Sequence, residues 1–338
     1  KQHARALPNA AGATGLSERP TRLVVGNLAS RVATITSSDL EEREVIALLG
    51  LRLTACHWDM VRLLLAHPLL SDEELARLLG LERKSARSSL YTLLALGCLA
   101  PIATSAGKRW HLCERGLCLI AAANHQSLRI IAMWSDDGAT STLMLRGEGW
   151  LLQNIQHTAG IYGFFAALAQ AARQAPEQAL RWWETGATCE RRNQVGEHWY
   201  NLRPDAQAAY VIEQRAIRFW LEWDRGTMNV RDLTMKFASY AHYLASREWA
   251  KEYMALPWLL CVTQEIAQER RLQRVAQDNL AQSSGLVIQT TTAALLRERG
   301  PLAPIWSPCL PPPSLQAQTG DALRRCFLGM SSHEDSRP

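Results

Sequence analysis

Three carboxylates and one lysine in the second half of the chain have the types and spacing that phosphodiester chemistry uses. Asp205 follows Pro204 at the head of an apolar stretch. Glu222 and Asp224 close the next one, Phe219-Trp220-Leu221-Glu222-Trp223-Asp224. Side chains two apart on a strand share a face, so Glu222 and Asp224 point the same way. An adjacent strand brings Asp205 close to both. Three carboxylates grouped in this way suit a hard divalent cation such as Mg2+ or Mn2+. Such an ion activates water and offsets charge developing on a phosphodiester. Lys236 follows the Gly226 turn and can reach back to the strand end as an electrostatic stabiliser, with Arg225 as a phosphate contact and His157 approaching from an earlier helix. Each residue also has an ordinary structural use. Asp205 can cap the Pro204 turn, and Asp224 with Thr227 can bind amides around Gly226. Glu222 can pair with Arg218 or Lys236, and His157 can be a packed core histidine. Both readings stay open at this point.

The elements that must position these groups are legible in outline. Residues 206–212 and 216–223 read as a hairpin, preceded by strand candidates at 180–184 and 199–202. Trp182 and Trp183 are adjacent, so they fall on opposite faces of their strand. A long helix is expected over 151–173, broken or flexed near Gly160 and Gly163. Helices over 232–249, 265–279 and 292–297 alternate with strands at 258–263 and 285–290. This alternation predicts an α/β layer around one mixed sheet, and an α+β chain as a whole.

The first half is organised differently. Trp58, Val61, Leu64 and Leu65 recur at helical spacing, and Ser71 with Glu74 is a capping-box signature ahead of a short helix that Gly80 ends. A second helical run over 81–96 meets Gly97, and two short strands flank the Ser105-Ala106-Gly107 turn before a closing helix over 115–123. Helix, short helix, turn, longer helix, hairpin is the order of a winged helix-turn-helix. Its expected recognition helix carries Arg83, Lys84, Arg87 and Ser88, and its wing carries Lys108, Arg109 and His111. These positions allow a helix in the major groove and a basic hairpin against phosphate, so double-stranded DNA is the expected partner. The competing use is a winged helix that contacts protein.

Composition limits the alternatives. At 338 residues with 47% hydrophobic content, the chain has enough material for about two domains, and collagen, a long coiled coil and a mostly disordered chain are excluded. No run of about 20 apolar residues is present, so no membrane helix is expected. The net charge of +5 is too mild to name a partner. The eight cysteines contain no CxxC pair and read as small buried hydrophobes in a reducing cytoplasm. Trp, at 12, outnumbers both Tyr and Phe, and five of the twelve fall on early strands of the α/β part. The expected boundaries are a leader or flexible arm over 1–40, the winged helix over 41–123, a connector over 124–150, the α/β domain over 151–306 and a Pro-rich, partly disordered tail over 307–338.

Residues 54–306 resemble the replication-relaxation family of plasmids and mobile elements. The resemblance is carried by 71–116, His157-Thr158, Arg203-Pro204-Asp205-Ala206, the run from Phe219 to Thr227, Lys236 with Tyr240, and Gly300-Pro301-Leu302-Ala303-Pro304 with Trp306. It implies a DNA-associated role in replication, relaxation or transfer. The second half also resembles the restriction-endonuclease-like fold, whose nucleases pair Pro-Asp with an acidic-x-Lys strand. Asp205 and Glu222 match the two acids. Asp224 stands where the lysine belongs, and Lys236 on the next helix is the candidate replacement. The resemblances imply a DNA-binding accessory protein with a degenerate nuclease-like domain. Expected partners are duplex DNA, a replication, mobilisation or recombination protein, and a second copy of the chain. The alternatives are a Mg2+- or Mn2+-dependent endonuclease or nickase using Asp205, Glu222, Asp224 and Lys236, and a transcription regulator or assembly adaptor. A tyrosine relaxase is disfavoured, because Tyr240 and Tyr243 lack a histidine metal triad.

Overall fold

The computed structural model describes residues 46, 48–123, 149–175, 177–213, 215–280 and 286–309. The expected leader, nearly all of the connector and most of the tail lie outside the described residues. The first half builds a winged helix. Helix α1 (Ala55–Ala66) starts at Thr54 with a reciprocal Thr54–His57 capping box. Helix α2 (Asp72–Leu79) starts at Ser71. There the Glu74 amide donates to the Ser71 hydroxyl at 3.2 Å and the Ser71 amide donates to the Glu74 carboxylate at 2.8 Å. Gly80, at φ +67, ends that helix in the left-handed region that glycine enters without strain. Helix α3 (Arg83–Ala95) follows, then an antiparallel hairpin of β1 (Leu99–Thr104) and β2 (Gly107–Leu112), and then α4 (Glu114–Ala123). Leu70 bridges to Trp110, which ties the wing back to the segment before α2.

The second half starts with α5 (Gly149–Gln153) and α6 (Ile155–Gln174). Strand β3 (Gln178–Thr185) leads through a short 3-10 turn into a separate hairpin of β4 (Arg191–Val195) and β5 (His198–Leu202). The main sheet then continues with β6 (Ala206–Ile212) and β7 (Arg215–Asp224). Helices α7 (Val230–Ser246) and α8 (Trp249–Glu252) precede β8 (Trp258–Thr263), α9 (Ile266–Leu280), β9 (Ile288–Thr292), α10 (Ala293–Arg299) and β10 (Ser307–Pro308). Its order is β10-β9-β8-β7-β6-β3. Strand β6 runs antiparallel to both β3 and β7, whereas β7, β8 and β9 are parallel. The whole is a mixed α+β chain.

Strand alternation sends successive side chains into two different cores. Phe219 and Leu221 pack with Phe164, Phe165 and Leu168 of α6. Trp220, one position out of phase, packs with Leu233, Phe237 and Tyr240 of α7 and Leu272 of α9. The α6-side core continues without interruption into the winged helix, taking in Met60, Leu75, Leu90 and Trp110. At that junction Arg173 of α6 donates to the carbonyls of Arg77 and Leu78, satisfying acceptors that the end of α2 leaves over. Of the described cysteines, Cys98, Cys118, Cys189, Cys261 and Cys309 are buried, as small hydrophobes should be. Among the described residues no helix is long and apolar enough to cross a membrane.

One local expectation needs correction, and one strand has no sequence signal. The long helix is not broken at Gly160 or Gly163. It runs unbroken from Ile155, and the interruption falls at Asn154, between α5 and α6. The reason for Gly160 is packing, because a Cβ there would stand only 2.2 Å from the Trp223 ring of β7. The β4 strand, Arg-Arg-Asn-Gln-Val, has no apolar alternation to announce it; it exists by pairing with β5.

Glycine to alanine inside a helix normally stabilises by about 0.5–1 kcal/mol. At Gly163, where a Cβ meets nothing within 4 Å, that gain is expected. At Gly160 the overlap with Trp223 costs about 1–3 kcal/mol and reverses the sign. Urea unfolding of Gly160→Ala and Gly163→Ala should therefore move the midpoint in opposite directions.

Candidate functional site

The site forms at the sheet end where β6 begins and β7 finishes. Ala206 pairs with Leu221, which puts Asp205 beside the last turn of β7. The Trp223 amide donates to Asp205 Oδ2 at 2.7 Å. His157 Nε2 of α6 reaches the same oxygen at 3.1 Å. An ionised carboxylate only accepts, so Nε2 carries the proton in this contact. Lys236 Nζ of α7 approaches Asp205 Oδ1 at 3.7 Å. One carboxylate is thus held by a strand and by the helices on both faces of the sheet.

Glu222 stands on the α7 side of β7, where its side chain is almost fully buried. Its Oε2 lies against the Lys236 ammonium. Its Oε1 accepts from Tyr240 at 2.6 Å. Lys236 and Tyr240 are four apart on α7 and therefore share a helical face. Tyr240 is absent from the sequence-based site, although this spacing from Lys236 is a signal that could have found it. Burial would raise the Asp205 carboxyl, but the Lys236 charge, the His157 contact and the Trp223 amide together hold it below its ordinary range. Glu222 goes the other way. Burial and its neighbour Asp205 push it up to about 8, against the opposing charge of Lys236. Burial disfavours the Lys236 ammonium, yet the two carboxylates outweigh burial and raise its pKa.

Asp224 does not join this group. Its Oδ1 accepts from the Gly226 amide at 2.7 Å, which is the structural alternative for this residue. Its Oδ2 is buried without a hydrogen-bond partner. Among the described residues no three His, Cys, Asp or Glu side chains are grouped so as to hold a metal ion. The position shared by Asp205 and Glu222 is taken by the Lys236 ammonium, which already supplies the positive charge a cation would bring. This arrangement does not fit a resident divalent ion, and no chemical step is assigned to one.

On the winged helix, Arg83, Lys84, Arg87 and Ser88 are exposed along α3. Arg87 Nε lies 3.1 Å from Asp72, and Arg83 lies 3.9 Å from Glu73. Lys108 of the wing sits 4.6 Å from the Trp110 ring centroid and 3.7 Å from Asp72. Arg109 is placed differently from the expectation of a wing surface contact. It is buried, and its guanidinium donates to Glu74 at 2.6 Å and to the Ala106 carbonyl at 3.0 Å. The same Glu74 closes the capping box of α2, so Arg109 fastens the wing to that helix. His111 is also fully buried.

Sequence reasoning also passes over a cleft of about 300 Å³ whose lining includes His157, Asp205, Thr158, Trp150 and Arg203. Its residues come from α5, α6 and the segments flanking the β4–β5 hairpin, so no single run of sequence reveals it.

These features define a winged-helix protein whose α/β layer carries a half-buried Asp-Glu-Lys group with a histidine beside it. Residues 61–259 match the replication-relaxation family, and the chain belongs to that family. No curated protein matches it. Solved structures that it resembles include a multiple antibiotic-resistance repressor (MarR) from Listeria monocytogenes, 19% identical, covering 39% of this chain and 83% of that one with a TM-score of 0.22. Another is the transcriptional regulator SlyA, 18% identical, covering 38% of this chain and 99% of that one with a TM-score of 0.20.

The opposed shifts give a pH signature. The native state keeps the Glu222 proton up to about 8, whereas the unfolded chain releases it near the ordinary 4.5. Glu222 therefore contributes stability below pH 4.5 that is lost as pH rises towards 8. Asp205, held low, contributes stability that is present above its usual range and lost only in acid. Between pH 5 and 8, wild type should lose on the order of 1 kcal/mol or more relative to Glu222→Gln. Chemical unfolding of both proteins at several pH values measures this; parallel profiles would contradict it.

Proposed function

We propose that this protein binds duplex DNA through α3 and the wing, and serves as a DNA-binding accessory factor in replication, relaxation or transfer of a plasmid or mobile element. The carrying observation is the exposed row of Arg83, Lys84, Arg87 and Ser88 on α3, with Lys108 beside it. The ion pairs that Arg83 and Arg87 make with Glu73 and Asp72 are no obstacle. The Arg83–Glu73 pair is exposed on both sides and worth about 0–1 kcal/mol, and although Asp72 is buried, Lys108 and the Trp110 indole remain on it when the exposed Arg87 turns to phosphate. Asp72 and Glu73 lower the local positive potential, which favours a fitted duplex over indiscriminate binding. On this reading the α/β layer is a degenerate relative of the restriction-endonuclease-like fold. It docks DNA, or a replication, mobilisation or recombination protein. Pro204-Asp205 opening the strand beside Glu222 supports the likeness, and the Lys236 pairing supports the degeneracy.

A second reading, a nickase that takes up Mg2+ or Mn2+ only once Lys236 has moved off the two acids, is favoured by one observation. Asp205, Glu222, Lys236 and His157 come from four elements, and two of them line an open cleft. Supercoiled plasmid incubated with the protein and either metal decides between the readings. Nicking that Glu222→Ala abolishes selects the nickase, and intact plasmid under both metals selects the binding platform.

Joint replacement of Arg83, Lys84 and Arg87 by alanine should weaken duplex binding at least about ten-fold. It should also flatten the dependence of log K on log salt by about one unit for each phosphate that is no longer neutralised. Anisotropy titrations of labelled duplex at several salt concentrations test this; unchanged affinity would remove α3 from the interface.

A further inference from the structure

The cleft beside Asp205 has features that neither duplex binding nor a Lys236-neutralised carboxylate pair requires. Trp150 is 37% exposed in its wall. The ring edge rests against Gly186, where a Cβ would lie 3.3 Å from it, so the glycine lets the indole approach closely. The exposed guanidinium of Arg203 stands 5.5 Å from the ring centroid. Deeper in, Thr158 is only 3% exposed, and its Oγ1 has no hydrogen-bond partner. A buried hydroxyl left unpaired is costly, so a ligand that satisfies it gains specificity there. The β4–β5 hairpin lies between Gly186 and Arg203, and it repeats the pairing. Arg192 sits 4.9 Å from the ring of Trp199, which is 59% exposed.

We infer that this cleft takes one unstacked nucleotide of a single DNA strand. The base lies on Trp150, Arg203 moves off the ring onto the adjoining phosphate, and Thr158 Oγ1 hydrogen-bonds the base edge. An aromatic face supplies stacking that tolerates any base, and a neighbouring arginine supplies the backbone contact; together they make the usual platform for single strands. The volume of about 300 Å³ has room for one nucleotide. The inference rests on the DNA-binding reading only in that its ligand is nucleic acid. It adds a second, single-stranded site on a different part of the fold from α3.

The test uses the full chain and three fluorescein-labelled probes: an oligothymidylate, the same length of abasic strand, and a duplex. Wild type should bind oligothymidylate more tightly than the abasic strand. Trp150→Ala and Arg203→Ala should each weaken oligothymidylate about ten-fold while leaving duplex affinity unchanged. Thr158→Val separates recognition from folding. Its hydroxyl has no partner within the protein, so the unfolding midpoint should hold or rise while oligothymidylate affinity falls. Equal affinity for thymidylate and abasic strands, or wild-type affinity in both the Trp150 and Arg203 variants, would overturn the inference. Duplex binding that the α3 triple variant abolishes, together with no single-strand binding at all, would sink this proposal and leave the duplex reading standing. Failure to bind either probe would sink both.

Discussion

The Asp205 carboxylate is the constraint around which the second half of the chain is arranged. A buried charge costs several kcal/mol unless it is paired and hydrogen-bonded, so its partners must arrive together. They come from three directions: the Trp223 amide from β7, His157 from α6 and Lys236 from α7. The β6–β7 register sets the first. The missing side chain at Gly160 brings α6 close enough for the second. The Asn229 capping box that starts α7 helps to set the third. Sheet register, helix approach and helix start are thereby tied to one ionisable group.

The two charged regions differ in how freely their charges can change partners. On α3 the basic groups are exposed, and Glu73 holds Arg83 only weakly. Around Asp205 and Glu222 the pairs are enclosed, and the same lysine is shared between two acids. Exposed pairs suit reversible contact with a polyanion. Enclosed pairs suit a fixed geometry, and any ligand that enters must be met by atoms still unsatisfied, such as the hydroxyl of Thr158.

Much of the fold is legible in the sequence because local signals agree with the tertiary structure. The Ser71–Glu74 capping box, the Gly80 stop, and the strands at 206–212 and 258–263 all fall where the sequence puts them. Lys236 is readable as the group that reaches back to Glu222. What fails to show has non-local causes. Gly160 looks like a helix breaker until its neighbour Trp223 is known. Arg109 looks like a wing contact until Glu74, 35 residues away, is seen to bury it. Strand β4 carries no pattern of its own and is specified only by its partner. Spacing puts Glu222 and Asp224 on one face, but it cannot show that the Gly226 amide claims Asp224.

His67, just past the end of α1, lies flat on Trp183 of β3, with ring centroids 3.5 Å apart and planes 5° from parallel. Trp183 stacks on Phe165 at 4.4 Å, and Phe165 stacks on Phe219. Burial pushes His67 down to about 3, so the imidazole enters this stack uncharged. The pile of rings runs from the winged helix through α6 into the central strand. Modules joined by a tether can be exchanged between genes and still work. Halves that share a column of rings are not tethered modules of this kind: a change at one ring is felt in the packing of the other half.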